Sequence, residues 1–204
     1  MVHFDAEAAR PVSAWVRGVN AHLPDSVAVL WAHEVGGEFH ARYSARSRTY
    51  AYRLLNRAVR PALDAQYIGW FHLPLDVDAM RAAAALLVGE HDFSAFRSSE
   101  CQAKSPVRTI LQLAISKEAD TICFAIRANA FLHHMVRNIA GALLAVGDGR
   151  KPSSWIAELL QGRDRRVAAE TASAAGLYLV DVEYPAQFGL PQTPYGPLLL
   201  GVQH

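Results

Sequence analysis

The segment Phe131-Leu-His-His-Met-Val-Arg-Asn-Ile-Ala-Gly-Ala-Leu-Leu-Ala-Val146 limits the possible folds more than any other stretch of the chain. At helical spacing Leu132, Val136, Ile139, Leu143 and Val146 form one continuous apolar stripe. Phe131, Met135 and Ala142 widen it on one flank, Ala140 and Leu144 on the other, and Gly141 and Ala145 leave room for a neighbouring backbone. A helix that is apolar in nearly every direction is a buried one. The spacing therefore predicts a central helix from Phe131 to Val146, stopped by Gly147-Asp148-Gly149. Four polar residues interrupt it: His133, His134, Arg137 and Asn138. A guanidinium cannot shed its charge, and burying one unpaired would cost about 3–5 kcal/mol. Arg137 must then meet either backbone carbonyls or an anion, such as a catalytic carboxylate or a substrate phosphate. On a continuous helix His133, four residues earlier, shares its face.

Around this helix the chain alternates strand and helix patterns. Val27–Val35, Thr49–Leu55 and Gly176–Tyr184 read as strands, and Thr109–Ser116 with Thr121–Arg127 as an antiparallel pair joined across Lys117–Asp120. Ser13–His22, Asp76–Leu87 (with Asp76 as its cap) and Ser153–Gln161 read as helices, and the Pro-rich tail Pro185–Pro197 as a surface wrap. Mixed order of this kind suggests an α/β or α+β sheet with helices on one face. The longest apolar runs, such as Ala82–Val88, are too short to span a bilayer. Met1-Val-His-Phe-Asp5 lacks the basic and apolar regions of a signal peptide. Cys101 and Cys123 lie far apart with no CxxC, which suits a reducing cytoplasm.

The net charge of +1 hides a local imbalance. Between Phe39 and Leu63 there is no acid, yet Arg42, Arg46, Arg48, Arg53, Arg57 and Arg60 fall there, interleaved with Tyr43, Tyr50 and Tyr52. This suggests an anion-binding surface or a solvated arginine face. On a strand, Arg48, Tyr50 and Tyr52 share one side, an arrangement able to stack an unpaired base and hold its phosphate. Adjacent His133 and His134 diverge by about 100° on a helix. No two histidines are spaced i, i+4, so no metal site is expected.

Several motifs together resemble the tRNA pseudouridine synthase A (TruA-type) family. They are Gly18-Val-Asn-Ala-His-Leu-Pro24, Phe39-His-Ala-Arg-Tyr-Ser-Ala45, Arg48-Thr-Tyr-Ala-Tyr52, Gly89-Glu-His-Asp-Phe-Ser-Ala-Phe96, Asn129-Ala-Phe-Leu-His-His-Met-Val-Arg-Asn138, Gly176-Leu-Tyr-Leu-Val180 and Gly196-Pro-Leu198. The resemblance runs from His3 almost to the carboxyl end.

It implies an α+β pseudouridine synthase fold, a mixed, mostly antiparallel sheet flanked by helices, with all 204 residues forming the catalytic region: a C-terminal lobe and a remnant of an N-terminal lobe. It implies isomerisation of uridine to pseudouridine at positions 38 to 40 of the tRNA anticodon arm, with no cofactor or metal, by a cytoplasmic homodimer. Tyr50 matches the family tyrosine that packs on the uracil, and Arg137 the arginine beside the nucleophilic aspartate. Arg42, Arg46, Arg48 and His133 are the expected RNA-binding side chains. The family aspartate lies in a Gly-Arg-x-Asp-Ala-Gly-Val-His motif that these residues do not contain; Gly162-Arg163-Asp164 is a poor substitute. The expectation is therefore that this chain alone is inactive. The alternative is a non-catalytic fragment that binds tRNA or a synthase subunit.

Overall fold

The computed structural model describes residues 1–191, which form two compact units. The motif Gly196–Leu198 and the later part of the Pro-rich tail lie outside the described residues. The smaller unit comprises Met1–Arg46 and the stretch beginning at Val182. It carries α1 (Val12–Asn20) and a small aromatic cluster in which Phe39 meets Tyr184 and Phe188 at ring-centroid distances of 5.2 and 5.0 Å. The strand expected at Val27–Val35 does not form. The Asn20 side chain accepts from the Val29 amide at 2.7 Å and donates to the Val29 carbonyl at 2.9 Å. A side-chain amide thus does what a neighbouring strand would do for that residue.

The larger unit, Ser47–Asp181, is built on a mixed sheet. Its strands are β1 (Ser47–Asn56), β2 (Gly69–Phe71), β3 (Gly89–Asp92), β4 (Val107–Glu118) and β5 (Thr121–Ala128), in the order β2-β1-β5-β4-β3. β6 (Leu177–Glu183) also pairs with β1. The β1–β2 pair is parallel, while β1–β5, β4–β5 and β3–β4 are antiparallel. The helices of this unit are α2 (Val77–Ala85), α3 (Met135–Gly147) and α4 (Trp155–Gly162). Asp76 caps α2 as expected, its carboxylate accepting from the amides of Asp78 and Ala79. The result is an α+β fold.

Every residue of α3 except Arg137 is buried. Along β1, Tyr52 and Leu54 point into the core beside Phe124 and Ile122 of β5, all four at most 1% exposed. Met135, Ile139 and Leu143 of α3 belong to the same core and are fully buried. Each such side chain contributes about 1.5–3 kcal/mol, which is what seats the helix. Just before β6, Gly176 has φ 90° and its carbonyl accepts from the Arg53 amide. A Cβ there would lie 2.2 Å from the Arg53 carbonyl oxygen, so only glycine fits. Among the described residues no helix is long and apolar enough to cross a membrane.

Candidate active site

Alternation along β1 puts Arg48, Tyr50 and Tyr52 on one side, in register with Ala128, Ile126 and Phe124 of β5. Tyr52 is core, but Tyr50, nearer the strand's beginning, is half-buried. Its ring meets Phe131 edge to face, with centroids 5.0 Å apart. Beside this pair Arg48 Nη1 donates to the Asn129 carbonyl at 2.9 Å. Burial pushes the Tyr50 hydroxyl above its ordinary pKa, while the charge of Arg48 pulls the other way. Arg48 and Asn129, and Tyr50 and Phe131, thus form two linked contacts at this end of β1.

The approach to α3 departs from expectation. The helix begins at Met135, four residues later than the apolar pattern indicates, because His134 adopts a left-handed conformation with φ 62°. The bend is tied to the Ser98–Cys101 loop: Ser98 N donates to the His133 carbonyl, and His133 N donates to Cys101 Sγ at 3.4 Å. The two imidazoles therefore do not diverge as on a helix; they stack with centroids 4.0 Å apart. His133 is exposed and precedes the helix, so it does not share a helical face with Arg137. His134 is held below its ordinary pKa, first by burial and then by its neighbours His133 and Arg137. Burial would raise the Cys101 thiol, but amides of Ala103 and His133 and the Arg97 guanidinium more than offset that, and its pKa is lowered.

Arg137 is half-buried rather than enclosed. Its Nε donates to the Ala172 carbonyl at 2.7 Å, so the backbone-carbonyl alternative accounts for one of its donors. Its two Nη groups make no hydrogen bond or ion pair with the described residues. Tyr52 lies within reach of its charge: burial pushes the Tyr52 hydroxyl up to about 12, and Arg137 acts to lower it. The same hydroxyl donates to the Ser173 carbonyl at 3.1 Å.

A polar network next to Arg137 was not legible in the sequence beyond the oddity of Asn138 on an apolar helix. Asn138, 2% exposed, donates from Nδ2 to the Phe96 carbonyl at 2.7 Å. Its Oδ1 accepts from Thr171 Oγ1 at 2.7 Å and from Arg165 Nη2 at 3.1 Å, and Arg165 Nη1 donates to the Ala169 carbonyl at 2.7 Å. At Gly141 the stretch comes so close that a Cβ would lie 2.0 Å from the Glu170 carbonyl oxygen. Arg137, Asn138 and Gly141 therefore lay the Arg165–Ser173 stretch along α3.

Asp164 is committed elsewhere. It caps the turn Arg165–Val167 and is gripped by the Arg166 guanidinium, whose hydrogen bonds bring its carboxyl down to about 2. Among the described residues no three His, Cys, Asp or Glu side chains come together as metal ligands. Arg42 and Arg46 are exposed and belong to the smaller unit.

A family model described as tRNA pseudouridine synthase matches residues 83–185, the part that contains Asn129–Asn138 and the Arg165–Ser173 stretch. A protein of Thiobacillus denitrificans named tRNA pseudouridine synthase A is 55% identical over 193 residues, covering 95% of this chain and 74% of the relative. Relatives of the same name from Burkholderia mallei and Bordetella avium are 58% and 56% identical. They cover 96% and 98% of this chain, and 73% and 75% of their own length. More than half identical to these synthases over nearly all of its length, the chain belongs to the tRNA pseudouridine synthase family of isomerases.

Proposed function

We propose that the larger unit carries the reaction centre for isomerising uridine at positions 38 to 40 of the tRNA anticodon arm. The observation that carries this reading is the state of Arg137. Its Nε is anchored on the Ala172 carbonyl, and its Nη fork makes no bond with the described residues. A planar fork of this kind suits the two oxygens of a carboxylate. In this reading it holds the nucleophilic aspartate ionised and oriented, where burial alone would favour protonation. That aspartate is supplied from outside these 204 residues.

The ring of Tyr50, backed by Phe131, packs on the uracil once the nucleotide has left its stack. The glycosidic N1–C1′ bond breaks, the base rotates, and a C5–C1′ bond forms between the same base and sugar, the C5 proton leaving to solvent as N1 takes one up. One proton leaves and one is taken up, so product and substrate are isomers and the reaction calls for no oxidant, reductant or group donor. Arg48 and His133 meet the RNA from the larger unit, and Arg42 and Arg46 from the smaller one. The smaller unit is the remnant of an N-terminal lobe, and the chain as a whole is the catalytic region. The working enzyme is a cytoplasmic homodimer, an assignment that rests on the family alone.

The test is position-resolved mapping of pseudouridine in unmodified tRNA after incubation with the chain joined to an amino-terminal segment carrying the family's aspartate motif. Product confined to positions 38 to 40 supports the reading. Product elsewhere contradicts it, and tRNA bound without product favours a binding fragment.

A further inference from the structure

Apart from Arg42, the motif Phe39-His-Ala-Arg-Tyr-Ser44 has been given no role above. In the smaller unit it forms a turn closed twice between the same residues. The His40 amide donates to Ser44 Oγ at 2.9 Å, and the Ser44 amide donates to the His40 carbonyl at 2.9 Å. The Tyr184 hydroxyl donates to the Ala41 carbonyl, and Phe39 anchors the turn against Tyr184 and Phe188. His40 Nδ1 accepts the amides of Arg42 at 3.1 Å and Tyr43 at 3.3 Å. Two donors at one ring nitrogen fix the imidazole plane and place a ring proton on Nε2.

On that fixed ring a short aromatic column is assembled. His3 and Tyr43 each have centroids 4.3 Å from His40, tilted by 52° and 35°. The Arg42 guanidinium lies 5.9 Å from the Tyr43 centroid. Tyr43 rests against the fixed His40 ring and is still 76% exposed. An exposed ring with its orientation already set loses little freedom on binding a flat partner. A cation beside it favours a partner that carries negative charge. Exposed Arg46 adds to this, and no acid occurs between Phe39 and Leu63. One ligand class combines a flat aromatic face with an adjoining anion: a nucleotide whose base is not already stacked and paired.

We infer that Tyr43 is a stacking platform for one unpaired base of the RNA substrate, with Arg42 and Arg46 on its flanking phosphates. The inference rests on the RNA-binding part of the proposed function and adds a contact point in the smaller unit.

The test uses the 204-residue chain and an unmodified anticodon-arm hairpin with a fluorescent purine analogue in its loop. A fully paired duplex of the same stem serves for comparison. The wild-type chain binds the hairpin more tightly than the duplex and quenches the analogue. Tyr43→Ala weakens hairpin binding about 5-fold or more, the loss expected for one base stacked on an aromatic ring, and leaves duplex binding unchanged. Tyr43→Phe and Tyr43→Trp keep the wild-type preference. Arg46→Ala weakens both RNAs alike and flattens the salt dependence. A Tyr43→Ala chain that binds the hairpin as wild type does, or loses hairpin and duplex binding equally, overturns the inference while RNA binding stands. A wild-type chain that binds neither RNA overturns the inference and the underlying RNA-binding reading together.

Discussion

Arg137 and Ala172, 35 residues apart, hold each other by two hydrogen bonds: Arg137 Nε donates to the Ala172 carbonyl at 2.7 Å, and the Ala172 amide donates to the Arg137 carbonyl at 3.2 Å. The first fixes the plane of the guanidinium. The second fixes the backbone that supplies the acceptor. The direction of the remaining donors therefore depends on how the Arg165–Ser173 stretch is seated against α3, and the residues that seat it become testable.

Gly141 is the tightest of these contacts. In Gly141→Ala the new methyl meets backbone, the Glu170 carbonyl at 2.0 Å, rather than a flexible side-chain tip. The stretch must move, and stability should fall by about 1–3 kcal/mol in denaturant unfolding. Gly18→Ala, in exposed α1 with nothing within 4 Å, should instead raise stability by about 0.5–1 kcal/mol. Equal effects at the two positions would contradict the close approach.

Asn138 ties three partners in a buried setting. Asn138→Ala strips Phe96, Thr171 and Arg165 of one hydrogen bond each, and should cost on the order of 3 kcal/mol. Asn138→Asp keeps the acceptor side but loses the donor to Phe96 and buries a charge beside Arg165. A loss below about 0.5 kcal/mol for Asn138→Ala would mean that the network does not hold the stretch.

Tyr52 gives a pH-dependent check. Burial raises its pKa from 10.0 to about 12 in the folded protein, so the native state keeps this proton more tightly than the unfolded chain. The associated stability is fully present below pH 10 and is lost as pH rises towards about 12. Tyr52→Phe gives up the hydrogen bond to Ser173, about 1 kcal/mol at neutral pH, but has no proton to lose. The stability gap between wild type and variant should therefore close above pH 10 and then reverse in favour of the variant, a total change of up to about 2–3 kcal/mol. A constant gap from pH 8 to 12 would contradict the burial of that hydroxyl.

What the sequence disclosed follows how local each signal was. The β4–β5 pair, the Asp76 cap and the apolar body of α3 are written in near neighbours, and all three form. Apolar periodicity runs on through Phe131 and Leu132 and so predicts a start for α3 earlier than the observed Met135. The left-handed turn at His134 goes with ties to Ser98 and Cys101, more than thirty residues away. β2 is three residues long and owes its existence to a parallel partner, β1, which no local pattern announces. Val27–Val35 has the right residue types for a strand, but Asn20 occupies Val29 instead. At the candidate site, Arg137 stood out because a cation interrupts an oily helix. The carbonyl that takes its Nε, and the network around Asn138, depend on how a distant stretch folds back.

The most direct test of the account is tritium release from tritiated uridine in unmodified tRNA. It compares the 204-residue chain alone with the same chain joined to an amino-terminal segment carrying the family's Gly-Arg-x-Asp motif. The account predicts no turnover by the chain alone and turnover by the joined protein. In the joined protein Arg137→Ala should lower the rate about 100-fold or more, Arg137→Lys should lower it less, and Tyr50→Phe should weaken it. Turnover by the chain alone, or full activity in the joined Arg137→Ala protein, would contradict it.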